Sequence, residues 1–281
     1  MTAALGFGDR LAGVLAEHGG LCLGIDPHRA LLESWGLGFD AAGVREFGLR
    51  AVEAAAGLVG VVKPQIAFFE RHGAAGYAAL EAVIRAARDA GLLVLADVKR
   101  GDMGTTFDAY ADTWLQPGSP LESDAMTVNP YQGTGVLRHA YDLAAEHGKG
   151  VFVLCATSNP ESATVQTAVG ADGVTVAAAI LEDMEARNAR LTGELGPLGV
   201  VLGATNRLAD FGIDPAAAPR TPILAPGFGA QGARLSAVRE TYGSAAPRVL
   251  ASVSRDALGA GAAGLAGRLR ELRDELRLGA A

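Results

Sequence analysis

The segment LLVLADVKRGDMGTT, residues 92–106, ends an apolar run with four charged residues in six positions. Asp97 and Lys99 stand two residues apart, so on a β-strand their side chains point to the same side. A carboxylate and an ammonium held together at a strand end can transfer a proton or stabilise charge that develops on a substrate. A structural ion pair is the alternative for these two residues taken alone.

Two further charges extend this pair. Lys63 ends the preceding run GVVKPQ, and it can approach Asp97 if consecutive runs form neighbouring strands, while Asp102 follows on the next loop. Burying four charges costs free energy unless each is paired. Apolar residues in the same positions would usually stabilise the fold at least equally, so stability alone does not explain the charges. The alternating Lys–Asp–Lys–Asp array therefore indicates a functional site.

Asp102 also has a structural interpretation. It precedes the predicted helix TTFDAYADTWL, in which Thr105 would be the N-cap and Asp108 its capping-box partner. Asp102 would then be only an acidic residue that leads into a helix. If the helix starts earlier, Thr106, four residues after Asp102, can share its face.

A second group of residues is suited to bind an anion. The loop PGFGAQG, residues 226–232, contains Gly227, Gly229 and Gly232, and Arg255 follows the next apolar run. Glycines let backbone N–H groups approach a phosphate, and the N-terminus of a following helix would favour its negative charge. The arginine guanidinium can add two parallel hydrogen bonds to the phosphate oxygens. A glycine-rich turn alone would be weak support, but with Arg255 in register it predicts a phosphate site. Asp26 is either part of an Asp-Pro turn or an acceptor for a sugar hydroxyl.

The elements that must position these residues alternate between β-rich runs and segments of helical period, which is typical of βα units. Eight units in 281 residues match a (β/α)8 barrel, with a doubly wound open sheet as the alternative. We expect one domain over residues 1–281. The predicted strands are 21–26, 60–65, 92–99, 124–130, 150–158, 199–205, 222–228 and 248–254, and the predicted helices are 9–19, 42–58, 77–91, 105–115, 135–148, 175–191 and 260–278.

Barrels of this class carry their site at the C-terminal ends of the strands. Here the strands are apolar but almost every end is polar, which predicts that one site gathers these residues. The long loop 159–173, after the fifth strand, is either a lid or an ordinary surface excursion. The polar strand ends are Asp26, Lys63, Asp97, Lys99, Asn129, Thr157, Ser158, Thr205 and Arg255, together with PGFGAQG.

Composition excludes several classes of function. The formal net charge of −7 argues against a nucleic-acid or anionic membrane surface. We expect no membrane segment, because no apolar run approaches 18 residues, and no signal peptide, because the N-terminus has no basic region followed by a long apolar stretch. Cys22 and Cys155 lie in apolar runs and are expected to be buried free thiols in a cytoplasmic protein. The five histidines are scattered and no metal-binding motif is present, so we expect no metal.

The motif ADVKRGDMGTT resembles the Asp-x-Lys-x-x-Asp-x-x-x-Thr signature of orotidine 5′-phosphate decarboxylase. The segments GIDP, VVKPQIAFFE, DAMTVNPYQG, VLCATSNP, PGFGAQG and SRDAL resemble its other segments in order, from about residue 24 to residue 255. They are most similar to the longer bacterial subgroup. The resemblance implies a homodimer of barrels with shared active sites. It also implies conversion of orotidine 5′-monophosphate (OMP) to UMP and CO2, in de novo pyrimidine biosynthesis and without a cofactor.

The resemblance also implies residue roles. Lys63, Asp97, Lys99 and Asp102 match the charged network, and Asp102 and Thr106 match residues that serve the neighbouring subunit's site. Asp26 matches a ribose-hydroxyl ligand, and Gln231 and Arg255 match phosphate ligands. An aromatic residue shortly after the arginine is missing, since SRDALGAG offers none. The remaining candidates, for contact with the pyrimidine amide, are Asn129, Thr157 and Ser158.

Decarboxylation at C6 leaves an electron pair that cannot delocalise into the pyrimidine ring. Lys99 is expected to stabilise this carbanion and then protonate it, while Asp97 and Asp102 fix Lys99 and place negative charge beside the departing carboxylate. Two alternatives stay open. One is a metal-dependent keto-sugar-phosphate decarboxylase or aldolase, against which Lys63 argues because such an enzyme needs an acid there. The other is a non-catalytic nucleotide-binding barrel.

Overall fold

Eight parallel β-strands close into a barrel in sequence order, with β8 pairing with β1. The structure, a computed structural model, describes residues 5–280. Closure confirms the predicted (β/α)8 barrel and excludes the open doubly wound sheet, and each strand overlaps its predicted run. The strands are β1 (Leu21–Ile25), β2 (Val61–Pro64), β3 (Leu93–Arg100), β4 (Ala125–Val128), β5 (Gly150–Ala156), β6 (Leu198–Leu202), β7 (Ile223–Ala225) and β8 (Val249–Val253).

α-Helices cover the outside of the barrel and include all seven that the sequence predicts. The structure describes every residue of the link between β6 and β7. This link contains two 3₁₀ turns, Leu208–Phe211 and Pro215–Ala217, in place of an α-helix. The helices are α1 (Phe7–His18), α2 (Arg29–Ser34), α3 (Ala41–Ala55), α4 (Ile66–Glu70), α5 (Gly73–Asp89), α6 (Gly104–Leu115), α7 (Arg138–His147), α8 (Ala163–Gln166), α9 (Val176–Asn188), α10 (Val238–Tyr242), α11 (Arg255–Leu258) and α12 (Gly261–Ala280).

The strands are apolar on both faces because one face fills the barrel and the other packs against helices. The N-terminal end of the barrel is closed by α1, whose Phe7 and Leu11 are buried with the inner layer, and the Phe7 ring meets Phe152 edge-on at 6.1 Å. Cys22 and Cys155 are buried free thiols, as predicted. Apolar side chains thus fill the N-terminal end of the barrel, and the polar residues of the strands lie at the C-terminal end.

The start of α6 differs from the prediction. The helix begins at Gly104, which has a φ of +58°, and Met103 is the N-cap without a side-chain cap. The predicted capping box is therefore wrong, because Thr105 lies inside the first turn and cannot be the N-cap. The earlier start fits the alternative in which Thr106 follows Asp102 by about one helical turn.

No helix within residues 5–280 combines the length and apolarity needed to cross a membrane. The predicted domain limits, 1–281, include residues 1–4 and 281, which lie outside the described part of the chain. The single-domain assignment stays a prediction.

Candidate active site

A cavity of about 500 Å³ opens at the C-terminal end of the barrel. Every strand except β4 supplies a residue to its wall, either from the strand or from the loop that follows. Its apolar floor is formed by Leu154, Val201 and Leu224, and its polar wall by Asp26, His28, Lys63, Gln65, Asp97, Lys99, Thr157, Ser158, Asn159, Gln231, Ser252, Ser254 and Arg255.

Asp97 lies between Lys63 and Lys99, which confirms the predicted approach of Lys63 to Asp97, whereas Asp102, the fourth member of the predicted array, does not join them within this chain. Lys63 Nζ donates to Asp97 Oδ2 at 2.9 Å, and Lys99 Nζ donates to Oδ1. The Asp97 and Lys63 side chains are only 8% exposed, whereas that of Lys99 is 43% exposed and reaches into the cavity. Lys99 is therefore the ammonium that a bound molecule can contact directly.

The charges fix the protonation states of this group. Burial alone would raise the pKa of Asp97, but Lys63 and Lys99 hold it well below its usual range. Burial alone would lower the pKa of Lys63, but Asp97 holds it above its usual range. For Lys99, burial and the charge of Lys63 outweigh Asp97, so its pKa is lowered. Lys99 is thus the better proton donor of the two lysines.

Two neutral residues that the sequence analysis missed complete the surroundings of Asp97. The Thr127 hydroxyl donates to Asp97 Oδ1 at 2.9 Å. The Gln65 amide, with its nitrogen turned toward Asp97, donates to Oδ2 at 2.8 Å and to the backbone carbonyl at 3.0 Å. Both are polar residues inside or just after an apolar strand, which was the available signal. Arg100, by contrast, faces away from the cavity and pairs with Glu70 at 2.6 Å.

Asp26 follows β1, the strand next to the one that carries Lys63, and one of its carboxylate oxygens has no hydrogen-bond partner within residues 5–280. Its Oδ2 accepts a hydrogen bond from the Ser254 hydroxyl at 2.6 Å, whereas its Oδ1 is buried and has no partner among the described residues. A buried carboxylate oxygen without a donor is costly, so Asp26 has acceptor capacity that the described residues leave unused. Ser254 was another residue missed in the sequence. Beside them, His28 and Phe68 form an edge-to-face pair at 4.4 Å.

The predicted phosphate corner contains Gln231 and Arg255, and within residues 5–280 no side chain pairs with the Arg255 guanidinium. The loop differs from the prediction in two ways. No long helix follows it, because a 3₁₀ turn, Leu235–Ala237, leads into the five-residue α10. Gly229 does not line the cavity, and its N–H donates to Ala233 O at 2.9 Å.

Thr157 and Ser158 border the cavity above the apolar floor. Ser158 Oγ donates to Gln231 Oε1 at 3.3 Å, which joins this end of β5 to the phosphate corner. The long loop folds back onto Thr157, since the Thr157 N–H donates to Gln166 Oε1 at 2.9 Å. The loop is thereby tied to the rim of the site.

Besides Gly229, the predicted residues Asp102, Thr106, Asn129 and Thr205 do not line the cavity of their own chain. Asp102 Oδ1 accepts a hydrogen bond from Met103 N, and Asn129 Oδ1 accepts one from Tyr131 N. Thr106 is exposed in the first turn of α6. Two large hydrophobic side chains close to them in the sequence are open to solvent, Met103 at 62% and Tyr131 at 80%. In the described part of the chain, His, Cys, Asp and Glu do not form a group of three or more that could hold a metal.

Comparison with known proteins identifies the family. Residues 19–261 match the model of the orotidine 5′-phosphate decarboxylase / HUMPS family. The chain belongs to this family. It is 52% identical to the orotidine 5′-phosphate decarboxylase of Salinispora tropica over 255 residues, which cover 91% of this chain and 90% of that protein. Identity to the enzyme of Corynebacterium glutamicum is 46% over 261 residues, 91% of each chain.

Solved structures of family members have the same fold. A Streptomyces avermitilis structure described as this decarboxylase superposes with a TM-score of 0.94 at 45% identity, covering 100% of this chain and 98% of that one. The Leishmania donovani OMP decarboxylase superposes with a TM-score of 0.79 at 32% identity, covering 98% and 99%. The family resemblance read from the motifs is confirmed.

Proposed function

We propose that this chain decarboxylates OMP to UMP and CO2, as a step of de novo pyrimidine biosynthesis, without a cofactor. One observation carries the proposal: Asp97 holds Lys63 and Lys99 together at the mouth of the barrel. This arrangement occurs in a chain that shares about half of its residues with orotidine 5′-phosphate decarboxylases. The family model also spans HUMPS proteins, but the curated relatives described above are all decarboxylases.

Lys99 is the proposed general acid. Loss of CO2 leaves a localised pair of electrons at C6, and a nearby ammonium stabilises that charge before it delivers the proton. Lys99 suits both roles because its side chain reaches the cavity and its pKa is lowered. Lys63 is more deeply buried and holds Asp97 in place. Asp97 then presents a fixed negative charge beside the position of the departing carboxylate.

The rest of the substrate fits the rest of the cavity. We assign the phosphate to Arg255 and Gln231, which line the cavity, and not to the N–H of Gly229, which donates to Ala233 O. Asp26, with its unused acceptor capacity, is assigned to a ribose hydroxyl. The pyrimidine would lie over the apolar floor, with Thr157 and Ser158 as candidates for its amide, whereas Asn129 lies outside the cavity wall. Binding energy from the distant phosphate would align the ring for the reaction at C6.

We also infer a homodimer in which Asp102 and Thr106 serve the partner's site. Neither residue lines its own cavity, and the exposed Met103 and Tyr131 lie beside them on the β3 and β4 loops. An apolar surface next to unused polar groups fits a second copy of the chain. The proposed setting is the cytoplasm, where the buried thiols of Cys22 and Cys155 would remain reduced.

The test is to follow the ultraviolet absorbance of OMP with purified protein, with and without EDTA. Rapid loss of absorbance that EDTA does not affect supports the proposal. Activity only toward keto-sugar phosphates, and only with a divalent metal, would replace it with the first alternative. Tight UMP binding by a folded protein that leaves OMP intact would replace it with the nucleotide-binding alternative.

A further inference from the structure

Strand β3 is irregular where it carries the charged pair. Ala96 pairs with Met126 and Arg100 pairs with Val128, so three residues of β3 stand opposite one residue of β4. A regular parallel ladder has equal numbers on both strands, and the extra residues form a bulge. The bulge contains Asp97 and Lys99. Its geometry therefore decides where the two side chains of the site point.

The single β4 residue opposite the bulge is Thr127, which is fully buried. Its hydroxyl accepts a hydrogen bond from the Lys99 N–H at 2.9 Å and donates one to Asp97 Oδ1 at 2.9 Å. One hydroxyl thus connects the backbone of one charged residue to the side chain of the other. A methyl group in its place could make neither bond.

Lys99 has a backbone conformation that needs such support. Its φ is +47°, and it is the only non-glycine residue within residues 5–280 with a positive φ. The left-handed region is unfavourable for a residue with a Cβ, so it persists only where surrounding contacts determine it. The bond from the Lys99 N–H to Thr127 is such a contact, since the register shift takes this N–H out of the regular ladder.

We infer that Thr127 is a positioning residue, whose hydroxyl locks the Lys99 backbone and the Asp97 carboxylate into the one arrangement that aims the Lys99 ammonium into the cavity. The inference deepens the proposed function and rests on it for the effect on turnover. Thr127 lies beneath the charged pair and does not line the cavity, so its effect on catalysis is exerted through Lys99 and Asp97.

The test compares Thr127→Val, which keeps the shape and loses the hydroxyl, with Thr127→Ser, which keeps the hydroxyl. For Thr127→Val we expect kcat to fall about 10- to 100-fold, as small displacements of reacting groups do, with KM changed much less. Thr127→Ser should stay close to wild type. The control is Thr221→Val, which removes a buried hydroxyl bonded to Asn188 and Glu185, away from the cavity. It should lower the melting temperature but leave kcat unchanged.

A second readout does not depend on turnover. The Lys99 Nζ resonance is titrated by ¹⁵N NMR, after assignment as the signal missing from Lys99→Arg. Asp97 raises the pKa of Lys99, so releasing that carboxylate in Thr127→Val should move the titration to lower pH, while Thr127→Ser and Thr221→Val leave it in place. If Thr127→Val does not fold, Thr127→Ala replaces it.

The outcomes separate the two proposals. Suppose that wild type turns OMP over and that Thr127→Val has the same kcat and the same Lys99 titration. This result would overturn the positioning role. A loss in Thr127→Val that Thr127→Ser shares would also overturn it, because the hydroxyl would not be the cause. If wild type does not decarboxylate OMP, the proposed function fails. The NMR titration still decides whether Thr127 controls Lys99.

Discussion

Replacing Asp97 by Asn removes the negative charge between two lysines while keeping the shape of the side chain. Lys63 Nζ lies 2.9 Å from Asp97 Oδ2, and both side chains are 8% exposed. At an effective dielectric constant of about 20, unit charges at this distance attract by about 6 kcal/mol before desolvation is counted. Removing one partner of a buried pair typically costs about 3–5 kcal/mol. We expect the free energy of unfolding of Asp97→Asn to be lower by about this amount at pH 7.

The loss should depend on pH in a direction that Lys63 determines. In wild type the pKa of Lys63 is raised above its usual 10.5, so its contribution to stability is complete below that pH and is lost only above it. Asp97→Asn removes the stronger of the two carboxylate charges that raise the pKa of Lys63, and only Asp26 is left to oppose burial, so we expect the pKa of Lys63 to be lowered. The variant then gains stability as the pH rises from that lowered pKa toward 10.5. The deficit should therefore be larger at pH 7 than near pH 9.5.

The assay is urea unfolding followed by circular dichroism at both pH values. The matched control is Asp112→Asn, which removes a surface pair with His139 and should cost less than about 1 kcal/mol. The double variant Lys63→Met/Asp97→Asn removes both charges and should recover much of the loss. If Asp97→Asn is as stable as wild type, or if its loss of unfolding free energy is the same at both pH values, the charge interaction between Lys63 and Asp97 argued above is refuted.

Further predictions concern turnover and acid stability. Lys99→Ala should abolish OMP turnover but leave UMP binding largely intact in calorimetry; retained turnover would remove Lys99 from the mechanism. In wild type, kcat should fall with rising pH through a pKa below the 10.5 usual for lysine, because the protonated Lys99 is required and its pKa is lowered. Mixing Lys99→Ala with Asp102→Ala should restore about a quarter of the wild-type activity, since half of the dimers would carry one intact site. No recovery despite measured subunit exchange would place each site within one chain. At the opposite end of the barrel, burial would raise the pKa of Glu122, but Lys149 and Arg88 lower it to about 2. Glu122→Gln should therefore lower the free energy of unfolding, measured by urea titration, at pH 6 and much less near pH 2.

The sequence predicted the barrel because its signals are local. Each strand is an apolar run bounded by polar residues, and each long helix has an apolar face of helical period. The order and approximate limits of these elements therefore follow from the pattern of apolar residues along the chain. The contact between Lys63 and Asp97 followed from sequential strand order, which places the ends of β2 and β3 side by side. The prediction needed only that neighbouring runs form neighbouring strands.

Errors occurred where a glycine or a loop determined the path of the chain. The left-handed Gly104 starts α6 one residue before the predicted cap at Thr105. The glycine-rich loop bonds to itself from Gly229 N to Ala233 O, so that N–H turns away from the cavity. Turns of this kind depend on φ values that residue types permit but do not fix. The roles of Asp102 and Thr106 stay predictions, because they depend on a second chain.

Neutral residues were missed for an energetic reason. A charge in an apolar run is noticed because its burial is costly, whereas a buried threonine or glutamine with partners costs little and is common. Yet the neutral residues decide what Asp97 can do. Its two oxygens offer about four acceptor positions, and four donors reach them, from Lys63, Gln65, Thr127 and Lys99. No position is left for a ligand, so a substrate carboxylate beside Asp97 meets a fixed negative charge and no further hydrogen-bonding capacity. Any effect of Asp97 on the departing group is then electrostatic, and it is exerted from a position that its four donors hold.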